Sequence, residues 1–253
     1  MHHGICHLSI VPIRILAEDA SEMVSQLLYG DHFKILEKRK YWSKIRDDFD
    51  GCEGWIHKNQ FIPIHKQDYK SLKKSRDNKF STDLVSYVSD GKNILLPIVL
   101  GSVVKNTNLL GHKFEGTSIA AKVTKKGKSN LIITALHYLN APYLRGGKTP
   151  FGIDYSGFTQ MVYKINGYKL LRRAEEQATQ GEALSFIEES EPGDLAFFDN
   201  KEGRISHVGL IMQDNFIIHV HGKVRIDRLD HTGIFNTEQR NYTHKLRVIK
   251  KII

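Results

Sequence analysis

The sequence predicts an α+β chain of three parts, two small β-barrels followed by a domain in which a helix layer covers a run of antiparallel strands. Three observations carry this. About five short strand-like segments, broken by turns, fit into the first sixty residues, a density that suits a small barrel. Residues 83–128 are again β-rich, with LVSYV, NILLPIVLGSVV and KFEGTSIAAKV. From residue 130 the texture changes to helical periodicity and then to alternating strands, the order of an α+β domain. The expected boundaries are 1–64, a basic linker at 65–82, 83–129 and 130–253.

In the first part CHLSIVPIRIL alternates, and Pro12 suits an edge or a strand start. A YGD turn at 29–31 leads into HFKILEKRKYWSKIRDDF, and the Asp50-Gly51 turn leads into a strand carrying Trp55. The linker is read as partly helical. In the third part Leu131, Ala135 and Tyr138 fall at helical spacing across 130–141, with Leu139 alongside. After the glycine-rich YLRGGKTPFGI, Asp154 stands where an N-cap belongs. Phe158, Met161, Val162 and Ile165 share one side of the helix that follows, and Gly167 ends it. PGDLAFFD (192–199), HVGLIM (207–212), NFIIHV (215–220) and KVRID (223–227) read as consecutive antiparallel strands.

Composition narrows the function classes. The 253 residues are 40% hydrophobic and 26% charged, ordinary for a folded chain. No apolar run reaches the roughly 18 residues of a membrane helix, and the start lacks a secretory pattern, so the cytoplasm is the expected compartment and no membrane partner is expected. Two cysteines, Cys6 and Cys52, form no CxxC pair, and they read as small buried hydrophobes. The net charge of +9 is concentrated in the middle. Residues 65–130 hold 13 basic against 5 acidic groups, with runs at 66–79 and 122–128. Such runs could draw an anionic partner, but no aromatic residues are interleaved to stack bases, which argues against nucleic acid.

Three segments of the last part converge chemically. A helix start at residue 155 presents free amides and a positive dipole end, and His207 and His219 lie on successive strands. A cysteine at such a helix start, beside a histidine held by a second histidine, would form a thiolate–imidazolium pair. Here the sequence resembles the NlpC-type cell-wall cysteine peptidases, specifically the bacterial γ-D-glutamyl-L-diamino-acid endopeptidases with two N-terminal SH3-like domains. The matching stretches are YLRGGKTPFGIDYSGF (143–158), PGDLAFF (192–198), ISHVGL (205–210) and IIHVHGKVRID (217–227), and the first sixty residues through EGWI look like the first SH3-like domain. The resemblance implies SH3-like barrels followed by a circularly permuted papain-like domain. It also implies cleavage of murein stem peptides between D-glutamate and the diamino acid, with no metal or organic cofactor.

The departures cluster on the site. Where the family has Asp-Cys-Ser-Gly-Phe, this chain has Asp154-Tyr155-Ser156-Gly157-Phe158, so Tyr155 stands at the nucleophile position. Arg145 stands for a common tryptophan, Arg173 for the acid of Arg-Asp-Ala, and His221 for a small residue. A phenol ionises near pH 10 against about 8.5 for a thiol, and its oxygen lies farther from the backbone than the sulfur would. Ser156 is turned by about 100° around the helix and does not substitute. His207 and His219 match the family base and its orienting partner. Asp154 is explained as an N-cap, and the resemblance adds a role in holding the peptide's free amino end. Tyr143 is core or pocket wall.

Arg145 or Arg173 is expected to pair with Asp154 and close the amine subsite. Ser156, Tyr143, Arg145, Arg173 and His221 join Asp154 as expected substrate-side residues. His219 and His221 are read as facing opposite sides of their strand, against a metal site formed by that pair. The favoured function is an inactive homologue that binds a murein stem peptide, another peptide or a protein partner. The rivals are an active peptidase with a non-cysteine nucleophile and an interaction protein using the basic middle segment.

Overall fold

The computed structural model describes residues 2–74, 78–120 and 127–253. The chain divides into two compact units, Met1–Lys125 with Arg145–Pro150, and Lys126–Leu144 with Phe151–Ile253.

In the first unit β1 (His3–Ile5), β2 (Ile10–Arg14), β3 (Met23–Leu28), β4 (His32–Lys38), β5 (Trp42–Asp47), β6 (Glu53–His57) and β7 (Ile62–Pro63) form one antiparallel sheet. Its order is β3-β2-β6-β5-β4-β1-β7. Alternation sends Val11 and Ile13 of β2 and Phe33 and Ile35 of β4 to one face. There they form a core with Cys6, Leu27, Ile45, Ile56 and Phe61. β2 meets β6 only at Arg14, so most of that flank is open, the setting in which Pro12 is tolerated.

The expected linker contains α1 (Lys66–Lys74), which buries Tyr69 and Leu72 against Ile5 and Ile64. Tyr69 Oη donates to Asp48 Oδ1 at 2.6 Å, Lys73 Nζ reaches the same oxygen at 3.1 Å, and His32 lies 3.3 Å from the other. Burial would raise the Asp48 carboxyl, but the bonds from His32, Tyr69 and Lys73 outweigh it and hold it well below the carboxylate range. A lowered folded pKa means the stabilisation is full above about pH 4 and fades as pH falls toward the folded value. Asp48→Asn is therefore expected to cost about 1–3 kcal/mol at pH 7 in thermal unfolding, with the gap to the parent narrowing below about pH 4.

The rest of this unit is β8 (Lys79–Ser81), β9 (Val85–Ser89), β10 (Leu95–Val99), β11 (Lys113–Glu115) and β12 (Ser118–Ala120), paired as β10-β9-β11 and β12-β8. Val88, Ile98 and Val104 pack here on Tyr29, whose hydroxyl bonds His112 Nδ1 at 2.9 Å. The two-residue strand β13 (Lys148–Thr149) also belongs to this unit.

In the second unit α2 (Lys128–Leu136) buries Leu131 and Ala135 as the spacing predicts, and Tyr138 is buried just beyond its end, while Leu139 is exposed. After β14 (Gly152–Ile153) comes α3 (Tyr155–Ile165), every residue of which is buried except Tyr155. Gly167, at φ +87°, closes α3. Its N–H bonds the carbonyl of Lys164 and that of Tyr168 bonds the carbonyl of Tyr163. α4 (Ala174–Gln177) and β15 (Glu182–Leu184) lead into β16 (Leu195–Asp199), β17 (Ile205–Ile211), β18 (Phe216–His221), β19 (Lys223–Leu229), β20 (Gly233–Asn236) and β21 (Asn241–Lys251).

The sheet runs β15-β21-β16-β17-β18-β19-β20, and β20 pairs back onto β21. The four expected strands are the consecutive β16 to β19, and the return of β20 to β21 closes them into a ring of six. α3 lies against β17 and β18, so the start of the helix faces the histidine-bearing strands.

Of the basic runs, residues 75–77 and Lys122, Lys125 and Lys126 lie outside the described residues. Lys128 is engaged by Glu191 and Asp194, each at 2.7 Å. Among the described residues no helix is long and apolar enough to cross a membrane.

Candidate active site

The site is built from the start of α3. Asp154 has extended backbone (φ −95°, ψ 169°) and its side chain accepts from Gly157 N–H at 2.6 Å, the N-cap bond the sequence predicts. The same carboxylate is gripped by Arg172, whose Nη1 reaches Oδ1 at 3.0 Å and Nη2 reaches Oδ2 at 2.7 Å. Arg172 Nη1 also donates to Ser156 Oγ at 3.1 Å, and that hydroxyl in turn donates to Asp154 at 3.3 Å. All three residues are buried. Gln177 of α4 locks the arrangement, accepting from Thr159 Oγ1 at 2.7 Å and donating to the Ser156 carbonyl at 2.9 Å.

An arginine does pair with Asp154, but it is Arg172, neither of the two expected. Arg145 belongs to the first unit and its guanidinium goes to Glu22 at 2.5 Å. Arg173 is exposed, with Glu175 at 3.8 Å. The reason is local. Arg173 is extended (φ −96°, ψ 151°), so neighbouring side chains point to opposite sides, Arg172 inward and Arg173 to solvent. Tyr143 is 43% exposed, which removes the core alternative for it. Its N–H bonds the Gly222 carbonyl at 2.9 Å.

Tyr155, half-buried at the first position of α3, has its ring centre 5.1 Å from that of His207. His207 Nε2 lies 2.9 Å from His219 Nδ1, and His219 Nε2 lies 3.0 Å from Asp227 Oδ2. Asp227 is buried and held by Arg225 at 2.7 and 3.0 Å, and Arg225 reaches on to Glu238 at 3.0 Å. Burial would raise the Asp227 carboxyl, but the bonds from His219 and Arg225 prevail and keep it below its usual value.

An ionised Asp227 must accept from His219 Nε2–H. His219 Nδ1 is then the acceptor for His207 Nε2–H, and His207 Nδ1 is left with its lone pair. Burial, followed by the neighbouring histidines His244, His219 and His221, keeps His207 well below the ordinary imidazole value, hence neutral. A neutral, oriented imidazole is what a general base requires. Asp227, the far end of this chain, had no role in the sequence reading although it lies in the KVRID strand.

His244 of β21 is a further residue that the sequence reading missed. Its ring stacks on His207 with centres 4.0 Å apart, and Nδ1 bonds Thr243 Oγ1 at 2.9 Å. Burial and the proximity of His219 and His221 push it down to about 3. The ring closure of the sheet puts it there. β20 approaches β21 so closely that a Cβ on Gly233 (φ +149°) would lie 1.8 Å from the His244 carbonyl oxygen, so only glycine fits.

The expectation that His219 and His221 face opposite sides is corrected. Residues two apart in a strand share a face, and these rings lie 6.4 Å apart, with His221 also 5.3 Å from His244. Both cysteines lie in the first unit, Cys6 buried and Cys52 half-buried, so the unit that carries the histidines holds no thiol.

Comparisons with known proteins agree with this architecture. The NlpC/P60 family matches residues 140–243, and the bacterial dipeptidyl-peptidase Sh3 domain matches residues 14–61. The chain is 30% identical over 211 residues to the γ-D-glutamyl-L-lysine dipeptidyl-peptidase of Bacillus subtilis (strain 168), covering 77% of this chain and 71% of that protein. It is 26% identical over 240 residues to the Bacillus cereus (strain ATCC 10987) protein of the same name, covering 79% and 68%. The crystal structure of an NlpC/P60 family protein from Bacillus cereus ATCC 10987 superimposes with a TM-score of 0.82 at 19% identity, covering 99% of each chain. The fold class expected from the sequence, a β-rich part with an SH3-like domain followed by an NlpC-type α+β domain, therefore holds, and the chain belongs to the NlpC/P60 family.

Proposed function

We propose that this chain is a catalytically inactive homologue of a murein-peptide cysteine endopeptidase, which binds a cell-wall-derived peptide and leaves it intact. One observation carries the proposal. Tyr155 occupies the first position of α3, against His207, in a unit without a cysteine. The resemblance places the nucleophile at this position, and here a phenol replaces the thiol. The base that would activate a nucleophile keeps its orienting chain through His219 to Asp227. A phenol, however, stays protonated until about pH 10, and its oxygen sits beyond the place of a cysteine sulfur.

Peptide binding is supported by the family and by the names of its relatives above. The boundaries 1–64, 65–82, 83–129 and 130–253 form part of the same reading. Titration calorimetry with L-Ala-γ-D-Glu-diaminopimelate is expected to give saturable one-to-one heat with the peptide recovered whole. No heat up to millimolar peptide would contradict the binding half of the proposal.

The retained His207–His219–Asp227 chain favours one second reading, hydrolysis through a nucleophile other than cysteine. Its mark would be free diaminopimelate in the recovered sample.

A further inference from the structure

We propose that His207, His219 and His244 form a binding site for a divalent first-row metal ion, with Zn²⁺ as the reference ion. Each residue offers one ring nitrogen, and the three nitrogens lie within 4.8 Å of one another. They come from three strands, β17, β18 and β21, brought together by the ring closure of the sheet. A nitrogen-only donor set suits zinc, copper, nickel or cobalt, and is a poor match for magnesium or calcium, which take oxygen. Three protein ligands leave a fourth tetrahedral position open, and His244 is half-buried whereas His207 and His219 are buried.

The surroundings are those that metal-bound histidines have. The other nitrogen of His219 donates to Asp227, which Arg225 orients, so Nδ1 faces the centre with its lone pair. Nδ1 of His244 bonds Thr243, which leaves its Nε2 as the available donor atom. Two changes are needed. The rings of His207 and His244, stacked with centres 4.0 Å apart and planes 23° apart, must splay by about 1 Å so that both in-plane lone pairs meet one ion. The proton of His207 moves from Nε2 to Nδ1, its hydrogen bond to His219 is given up, and those two nitrogens part from 2.9 Å. Tetrahedral coordination at about 2.0–2.1 Å per bond sets them roughly 3.3 Å apart, a movement of about 0.4 Å. No proton is gained or lost overall. The inference does not depend on the peptide reading, because the ligand atoms are present whether or not a peptide binds.

The test uses the full chain, stripped with a chelator and titrated with Co²⁺ by visible absorption, then with Zn²⁺ in competition. One tightly bound ion with the visible bands of tetrahedral Co²⁺, displaced by one equivalent of Zn²⁺, is expected. His244→Ala should weaken Zn²⁺ binding by about 100-fold or more. His244→Phe, which keeps a ring stacked on His207, should do the same without loss of fold by circular dichroism. Asp227→Asn should weaken binding by about 10–100-fold. His137→Ala, a change at an exposed histidine, should leave it as it was. Absence of a saturable one-to-one signal, or a signal that survives both His244 variants or disappears when His2 and His3 are replaced by alanine, would overturn the proposal.

Discussion

Replacing Arg172 by alanine is expected to lower the stability of the second unit by about 3–5 kcal/mol, the loss typical of a buried charge deprived of its partner. Arg172 is 4% exposed and Asp154 8%, so solvent cannot take over the charge. Two bonds to the carboxylate and one to Ser156 disappear together. Asp154 would still cap α3 through Gly157, which keeps the loss from including a cap as well. In scanning calorimetry this is a fall on the order of 10 °C or more. Arg172→Lys should recover only part of it, because an ammonium cannot make the two parallel bonds. Arg173→Ala should stay within about 0.5 kcal/mol of the parent, since that side chain is exposed. Equal effects at the two arginines would show that the inward pairing of Arg172 is not what holds the start of α3.

The second large effect belongs to Gly233. A methyl group there would stand 1.8 Å from the His244 carbonyl oxygen, on a backbone with φ +149°. Strand β21 must move or β20 must release it, at a cost of about 3 kcal/mol from overpacking together with backbone strain. The cost also reaches the site, because His244 rides on the strand that is displaced. Gly233→Ala is thus expected to lower thermal stability and to shift the ring NMR signals of His244 and His207 together. Gly203→Ala is the matched control. It is another positive-φ glycine, at φ +74°, but a Cβ there meets nothing within 4 Å. A loss of stability at Gly233 no larger than at Gly203 would mean that close approach does not matter here.

Much of the last domain was legible because its signals are local. The apolar spacing of α3, its Asp154 cap and its Gly167 stop are properties of consecutive residues. So is the alternation of β16 to β19, which places His207 and His219 on adjacent strands. His244 was not legible in the same way. β21 is eleven residues long, but it carries Lys245, Arg247, Lys250 and Lys251, and in it only Ile249 is buried, so no apolar pattern announces it. Its place depends on pairing with β15, β16 and β20, contacts that no local spacing encodes.

The misjudged arginine has a different cause. Arg172 and Arg173 are neighbours of one chemical type, and only the extended backbone decides which turns inward. Asp227 lies beyond His219 in a hydrogen-bonded chain, visible only when β18 and β19 are in register, with Ile217 opposite Asp227. In the first unit the charged stretch at 66–79 read as a linker, because the burial of α1 rests on just Tyr69 and Leu72.

On the reading proposed above, Tyr155 stands in place of the working nucleophile while the base beside it remains. The measurement that bears on it most directly is mass spectrometry of L-Ala-γ-D-Glu-diaminopimelate after long incubation with the parent chain and, separately, with Tyr155→Cys. Intact peptide is expected with the parent. Diaminopimelate is expected from the cysteine variant, whose thiol would meet the neutral His207 at the start of α3. Release of diaminopimelate by the parent chain itself would contradict the account and require a nucleophile other than a thiol.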